Sequence, residues 1–273
     1  EIGNLSTLQV LKLNSNANLS GMIPDEIQGL TMLTEMRLGF SSISGSIPTA
    51  IGALTKLESL HLHIANLTGS IPSEIGNLST LQVLKLNSNA NLSGMIPDEI
   101  QGLTMLTEMR LGFSSISGSI PTAIGALTKL ELLYLNTANL TGSIPSEIGN
   151  LSTLQDLRFN TNTNLGGKIP DAIQGLTMLT DMRLGLSQIS GSIPSVVGAL
   201  TKLSSLQLQG AELNGSVPSE ISDLTMLEVL FLSENQLTGN VPQLRNTGFF
   251  SDCDLSGNSF GDASLAVSAG CRI

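Results

Sequence analysis

Basic side chains recur in this 273-residue sequence at intervals of about 24 residues, always in the same local context. We call these positions the strand column, and its members are Lys12, Arg37, His61, Lys85, Arg110, Tyr134, Arg158 and Arg183, followed by Gln207 and Phe231. If the positions lie on neighbouring parallel strands about 4.8 Å apart, equivalent cations recur every ~14 Å. A regular row of cations could bind an extended anion, so the first eight members are candidate ligand-binding residues for an acidic glycan or peptide.

The same cations could instead be neutralised by carboxylates on their own face. Glu35, Glu108, Asp156 and Asp181 each come two residues before an arginine of the strand column. Residues two apart on a strand project to the same side, where opposite charges attract. The sequence alone leaves open a ligand-binding column or a salt-bridged surface.

Residues for catalysis, metal binding or cofactor binding are not evident. The sequence contains no GxSxG, HExxH or phosphate-loop pattern and no paired catalytic carboxylates. The only two histidines, His61 and His63, would share a strand face, but Tyr134 and Asn136 replace them one long repeat later. We therefore expect no enzyme activity, no metal and no cofactor.

A second candidate surface is rich in small hydroxyl side chains. Its triplets are Ser44-Gly45-Ser46, Thr68-Gly69-Ser70, Ser117-Gly118-Ser119, Thr141-Gly142-Ser143 and Ser190-Gly191-Ser192, interrupted every third time by Met22, Met95 or Lys168. We call this the hydroxyl flank. On an extended backbone it would form a regular polar array similar to an ice-binding face. The alternative is a solvated flank of turn-forming residues.

The elements that position these residues are tandem repeats. A pattern of about 24 residues recurs along the chain, grouped in threes into a unit of 73 residues, and residues 1–58 return unchanged as residues 74–131. Repeats of this length cannot bury their apolar faces alone and must stack on their neighbours. The sequence therefore predicts one continuous array of ten coils over residues 1–242, with residues 243–273 as a last partial coil and carboxy-terminal cap.

Each repeat contains a short strand, a proline-containing bend and a return segment. In the first repeat Leu11 and Leu13 alternate with Val10, Lys12 and Asn14, the period expected for a strand with one buried face. All ten prolines follow Gly-x-Ile or Gly-x-Val, where proline bends the chain. The return segments are too short for more than a turn or two of 3₁₀ helix.

One polar position inside each turn varies with a period of three repeats. Its residues are Asn16, Ser41, Ala65, Asn89, Ser114, Ala138, Asn162, Ser187, Ala211 and Asn235. Asparagine here can satisfy backbone groups of the turn, whereas alanine cannot. We expect water or a neighbouring side chain to serve the alanine repeats.

The full pattern, LxxLxLxxNxLxGxIPxxIGxL, resembles the plant-type leucine-rich repeats of receptor-kinase ectodomains and polygalacturonase-inhibiting proteins. The resemblance covers essentially the whole chain. It implies an α/β-repeat fold, a right-handed leucine-rich-repeat solenoid with a parallel concave β-sheet and a mostly 3₁₀ or irregular convex side. It also implies an extracellular binding or interaction module with a protein, peptide or glycan partner. An ice-binding protein and a structural spacer in a larger assembly are the alternatives.

Composition narrows the classes of partner and compartment. The net charge of −10 argues against nonspecific binding to nucleic acid. Apolar residues make up 41% of the chain but aromatic residues only 3%, which predicts an aliphatic core, and no apolar run is long enough to span a bilayer. Because Glu1 opens inside a repeat, we expect a fragment or a processed form.

Cysteines and glycosylation sequons favour the secretory pathway or the extracellular space. Cys253 and Cys271 suit a single cap disulfide better than a metal site, the alternative being two unrelated thiols. Asn-x-Ser/Thr sequons begin at Asn4, Asn18, Asn66, Asn77, Asn91, Asn139, Asn150 and Asn214. They could carry glycans, or they could arise simply from the repeat consensus.

Overall fold

The structure, a computed structural model, describes residues 2–243, 250–262, 264 and 270–273. The chain divides into two compact units, Glu1–Leu140 and Thr141–Ile273. Both consist of the same coil: a strand of a main parallel sheet, a turn, a strand of a second sheet, and a 3₁₀ helix that leads to the next coil.

The first unit holds the strands β1 to β11. They are β1 (Val10–Lys12), β2 (Ser20–Met22), β3 (Glu35–Arg37), β4 (Ser42–Gly45), β5 (Ser59–His61), β6 (Asn66–Ser70), β7 (Val83–Lys85), β8 (Asn91–Ser93), β9 (Glu108–Arg110), β10 (Ser117–Ser119) and β11 (Leu132–Tyr134). The main sheet has the parallel order β1-β3-β5-β7-β9-β11, and β2-β4-β6-β8 form a second parallel sheet.

The second unit continues the same alternation, with β12 starting at the last residues of the first unit. Its strands are β12 (Asn139–Ser143), β13 (Asp156–Arg158), β14 (Asn164–Gly167), β15 (Asp181–Arg183), β16 (Gln188–Gly191), β17 (Ser205–Gln207), β18 (Glu212–Ser216), β19 (Val229–Phe231), β20 (Gln236–Gly239), β21 (Asp252–Asp254) and β22 (Ser259–Phe260). The main sheet here runs β13-β15-β17-β19-β21, and the second sheet runs β12-β14-β16-β18-β20-β22.

The return segments are 3₁₀ helices, as the sequence predicts. Within the described residues they span Ile2–Asn4, Asp25–Gly29, Thr49–Ala53, Ser73–Asn77, Asp98–Gly102, Thr122–Ala126, Ser146–Asn150, Asp171–Gly175, Ser195–Ala199 and Ser219–Asp223. From the second onward each follows a proline in extended conformation, such as Pro24 and Pro48. Proline lacks a backbone N–H, so it fits the helix start, where that group has no intrahelical partner.

The core is aliphatic and is built by stacking equivalent residues. Met36, Leu60, Leu84 and Met109 face each other on successive strands of the first unit, and all are buried. The corresponding first-coil residues Leu11 and Leu13 remain partly exposed, because in the described chain this coil has a neighbour on one side only. The fold class expected from the sequence is confirmed in both units.

The second sheet was not predicted from the sequence. Its strands fall where the hydroxyl flank had been placed, as in β6, where Leu67 is buried and Asn66 and Thr68 are exposed. That alternation is the expected sign of a strand with one buried face. It was obscured because most of these segments contain or precede a glycine with positive φ, such as Gly69 at 73°, and such a glycine is typical of a turn.

Asparagine side chains connect the Ala65 and Ala211 coils to the coils after them. Asn89 donates to the carbonyl oxygens of Leu62 and Leu86 at 2.9 and 2.7 Å and accepts from the backbone N–H of Leu67 at 3.1 Å. Leu62 and Leu67 flank Ala65, so the neighbouring asparagine supplies what alanine lacks. Asn235 makes the equivalent bonds to Leu208 and Leu213 around Ala211. The expected neighbouring-side-chain solution is therefore observed.

The carboxy-terminal end is closed by the predicted disulfide between Cys253 and Cys271. Cys253 lies opposite Leu230 in the main sheet and is buried like that leucine. Asn258 repeats the asparagine bonds by donating to the carbonyl oxygens of Leu232 and Leu255. Part of the proposed cap, residues 244–249, 263 and 265–269, lies outside the described residues. The division into residues 1–242 and 243–273 stays a prediction.

Among the described residues, no helix is both long and apolar enough to cross a membrane.

Replacing Asn89 with alanine should lower the free energy of unfolding by about 3 kcal/mol, since it strips the partners from buried backbone groups at about 1–3 kcal/mol each. Asn16 is the matched control, because it occupies the same place in an identical sequence but is exposed and bonds only within its own turn. Asn16→Ala should cost less than about 1 kcal/mol. Equal effects of the two substitutions in denaturant titrations would contradict this role for the asparagine.

Candidate binding face

The strand column lies in register on the main sheet. Lys12 is opposite Arg37, Arg37 opposite His61, His61 opposite Lys85, Lys85 opposite Arg110 and Arg110 opposite Tyr134. In the second unit Arg158 lies opposite Arg183, which is followed by Gln207 and Phe231. The side chains project away from the core because the residues on either side, such as Met36 and Leu38, are buried.

Carboxylates in the first unit are shared between two cations each. Glu35 pairs with Lys12 at 2.9 Å and also with Arg37. Glu108 pairs with Lys85 at 3.2 Å and also with Arg110. The hydrogen bond from Lys12 lowers the pKa of Glu35, so this carboxylate stays ionised. Each cluster of two cations and one carboxylate keeps a net positive charge, and we call these clusters the two triads.

In the second unit each arginine of the strand column is paired with its own carboxylate. The guanidinium of Arg158 donates to Asp156 at 2.9 and 2.7 Å, and Arg183 donates to Asp181 at 2.9 and 2.6 Å. Bidentate pairs of this kind match the planar guanidinium to the carboxylate. The hydrogen bond to Asp181 raises the pKa of Arg183. Here the salt-bridged alternative describes the geometry better than an exposed cation row.

A pair of histidines separates the two triads. Their ring centroids lie 5.8 Å apart, and the ring of Phe40 meets His63 edge-on at 5.0 Å. Burial, followed by the charges of Lys85 and Arg37, lowers the pKa of His61 to about 4. Burial also lowers the pKa of His63, again with help from Lys85. Both histidines are therefore neutral at pH 7, and the column alternates charged and uncharged sections.

Tyr134 closes the column of the first unit. The guanidinium carbon of Arg110 lies 4.6 Å from the centroid of its ring. A cation at this distance is attracted to the negative face of the aromatic ring. The contact holds Arg110 over the sheet together with Glu108.

An apolar row beside the strand column was missed by the sequence analysis. Phe40, Ile64 and Phe113 each lie three residues after a member of the column and have large exposed side chains. We call them the apolar ridge. Their positions, two residues beyond an inward leucine, mark them in sequence as outside the core, but their exposure and backbone geometry become visible only in the structure.

The hydroxyl flank lies on the second sheet and is less regular than expected. Thr68 and Ser70 are exposed, whereas Ser44 is half-buried. The glycine after Ser44 or Thr68 has a positive φ, so the triplets are not simple extended segments. Met22 and Met95 lie against Gly45 and Gly118 of the next coils and remain exposed.

All eight sequon asparagines are exposed. Asn66 and Thr68 are two apart on β6, as are Asn139 and Thr141 on β12, so the acceptor and the flank hydroxyl share one face of the strand. Glycan occupancy stays a prediction. In the part of the chain that the structure describes, no group of three or more His, Cys, Asp or Glu side chains is arranged to hold a metal ion.

Fold and sequence comparisons agree on the class of protein. Residues 129–151 match the family model described as Leucine Rich Repeat. With parallel repeats along both units and the Gly-x-Ile-Pro signature, the chain is a leucine-rich-repeat protein of the plant type. No curated protein sequence gives a significant match.

Solved structures extend the likeness to receptors. A structure of the plant peptide hormone receptor RGFR1 in complex with RGF2 is 33% identical, with a TM-score of 0.81, over 95% of this chain and 45% of the receptor. The Arabidopsis receptor kinase HAESA, with the peptide hormone IDA and the co-receptor SERK1, is 30% identical, with a TM-score of 0.75, over 95% of this chain and 48% of that one. This chain thus spans about half the length of these receptor structures.

A weaker match is a plant ice-binding protein. It is 28% identical, with a TM-score of 0.57, over 71% of this chain and 69% of that protein.

The ring protons of His61 should titrate in NMR spectra with a midpoint of about 4 rather than near the ordinary 6.5. Because the unfolded chain binds this proton at higher pH than the folded chain, the histidine should reduce stability as the pH falls from about 6.5 to about 4. His61→Gln, which copies Gln207, should remove this part of the pH dependence. A midpoint near 6.5 would show that neither burial nor the neighbouring cations lower the pKa of His61.

Proposed function

We propose that this protein is an extracellular, non-enzymatic binding module whose main sheet recognises a protein or peptide, and that the strand column of the first unit contacts acidic groups of that partner. The observation that carries the proposal is the sharing of Glu35 and of Glu108 by two cations each. Because one carboxylate cannot neutralise two cations, each triad still attracts an anion. The bidentate pairs of the second unit offer no such excess.

The comparisons support the kind of partner. The matched receptor structures are complexes with peptide hormones. They give no support to the acidic glycan that the sequence left open. Extracellular location is supported by the disulfide, which is typical of oxidising compartments. We also propose that residues 1–242 act as ten coils and residues 243–273 as the last partial coil and cap, which is consistent with β21 in the main sheet.

An extended acidic peptide should bind to this protein with an affinity that falls as salt is raised, because exposed charges are screened beyond ~8 Å at physiological ionic strength. Lys85→Gln combined with Arg110→Gln should weaken binding by about tenfold or more, as expected for lost contacts to a ligand carboxylate. Stability should fall by about 1–3 kcal/mol, because the half-buried carboxylate of Glu108 loses both cationic partners. Calorimetric titration at two salt concentrations measures these effects.

Lys56→Gln combined with Lys129→Gln is the matched control. Both lysines are exposed, carry the same charge and lie outside the strand column. The Nζ atom of each lies 3.0 Å from a methionine sulfur atom. This pair should leave peptide affinity nearly unchanged. If both double variants weaken binding equally, the effect is one of net charge and the triads are not the site.

Ice binding by the hydroxyl flank is the second candidate, favoured by the exposed Thr68 and Ser70 and by the plant ice-binding match. Glycans on Asn66 and Asn139 would stand on the same face as Thr68 and Thr141 and would hold that face away from ice.

After expression in a eukaryotic secretory host, mass spectrometry should find glycans on Asn66 and Asn139, and the protein should not adsorb to a growing ice surface. The glycosidase-treated protein serves as the control for obstruction by sugar. Adsorption to ice, lost in Ser70→Val and Ser143→Val, which change exposed flank hydroxyls outside the sequons, would favour the second candidate over peptide recognition.

A further inference from the structure

The apolar ridge occupies a backbone conformation that large side chains seldom adopt. Phe40, Ile64 and Phe113 all have φ of 54°, in the left-handed region where residues other than glycine are strained and a β-branched residue is a genuine outlier. The coil itself demands this conformation, since the equivalent positions Gly210 and Gly257 have φ of 62° and 68°. Glycine would therefore satisfy the turn without strain.

The ridge side chains are also unusually exposed for large apolar residues. The side chains of Phe40, Ile64 and Phe113 are 49%, 41% and 54% exposed. Single exposed apolar residues need no explanation. These three, however, recur at one position of the coil, which Leu186 occupies in the second unit with φ of 56°. They combine exposure with strain and leave about half of their surface outside the core. Folding alone gives no reason to prefer them to the glycine found at position 210.

The ridge is continuous with the charged column. The ring of His61 touches that of His63, which in turn meets Phe40. The backbone hydrogen bonds between coils also reach the ridge. The N–H of Phe40 donates to the carbonyl oxygen of His63 at 3.0 Å, and the N–H of Ile64 donates to the carbonyl oxygen of Asn87 at 3.0 Å. Gly39, His63 and Asn87 form an uncharged strip between the strand column and the apolar ridge. The triads lie on the column side of this strip, and the apolar side chains lie on the other side.

We propose that the apolar ridge is a specificity element of the binding face, and that its occupant is an extended peptide segment alternating acidic and large apolar side chains. The acidic groups lie over the triads and the apolar groups pack on Phe40, Ile64 and Phe113. This inference rests on the proposed function, because that function already assigns the acidic groups of the partner to the net positive triads. The ridge then distinguishes among acidic peptides, because a peptide with large apolar side chains buries more apolar area against it and binds more tightly.

Two synthetic peptides of about ten residues, long enough to cross several coils at about 3.3 Å per residue, test the proposal. Both contain the same number of glutamates, alternating with leucine in one and with serine in the other. The Glu–Leu peptide should bind at least about tenfold more tightly than the Glu–Ser peptide. Replacing all three ridge residues, Phe40→Gly, Ile64→Gly and Phe113→Gly, should abolish this preference while the thermal midpoint stays level or rises.

The matched control changes the same backbone position without removing apolar surface: Ser15→Gly, Ser88→Gly and Thr137→Gly. It should retain the preference for leucine. Loss of the preference in this control, or its survival in the ridge variant, would overturn the proposal.

The outcomes separate the ridge from the proposed function. Equal, salt-sensitive binding of the two peptides would reject the ridge and leave the triads as the site. Binding of the Glu–Leu peptide alone, dependent on the ridge but insensitive to salt and to Lys85→Gln with Arg110→Gln, would support the ridge and reject the charged column. Failure of both peptides to bind would reject both.

Discussion

Backbone hydrogen bonding between neighbouring coils is the constraint on which the rest of this structure depends. Each described coil contributes three residues to the main sheet, and those residues pair with residues of the neighbouring coils. The inward leucines stack because this register places them opposite one another. The same register forces the residues between them outward, so a column of cations becomes a physical row spaced by the sheet.

The charge of the strand column varies with a period of three coils. One coil contributes lysine or arginine beside an asparagine turn, the next contributes an acidic residue and an arginine, and the third contributes histidine, tyrosine or glutamine beside an alanine turn. Asn89 and Asn235 then bond to backbone groups of the alanine coil before them. Structural and surface variation are thus coupled: the coil that cannot satisfy its own turn is also the uncharged coil of the strand column.

The sequence predicted the coils, the prolines before the 3₁₀ helices, the inward leucines and the cap disulfide, because each depends on local spacing. It left the charge balance undecided, since Glu35 lies near two possible partners and only coordinates reveal that it contacts both. The second sheet was missed because Gly69 and its equivalents suggested turns. The apolar ridge was missed because the left-handed backbone of Phe40 and Ile64 leaves no mark in composition or periodicity.

The central claim is that an acidic partner crosses the strand column of the first unit. The chain has only two histidines, His61 and His63, and they lie between the triads, so their ring protons report on this face alone. The most direct measurement is paramagnetic broadening of these resonances by a spin-labelled acidic peptide. The account predicts strong broadening of both histidines, reversed by unlabelled peptide. Tight binding of the labelled peptide with both histidine signals unchanged would contradict it.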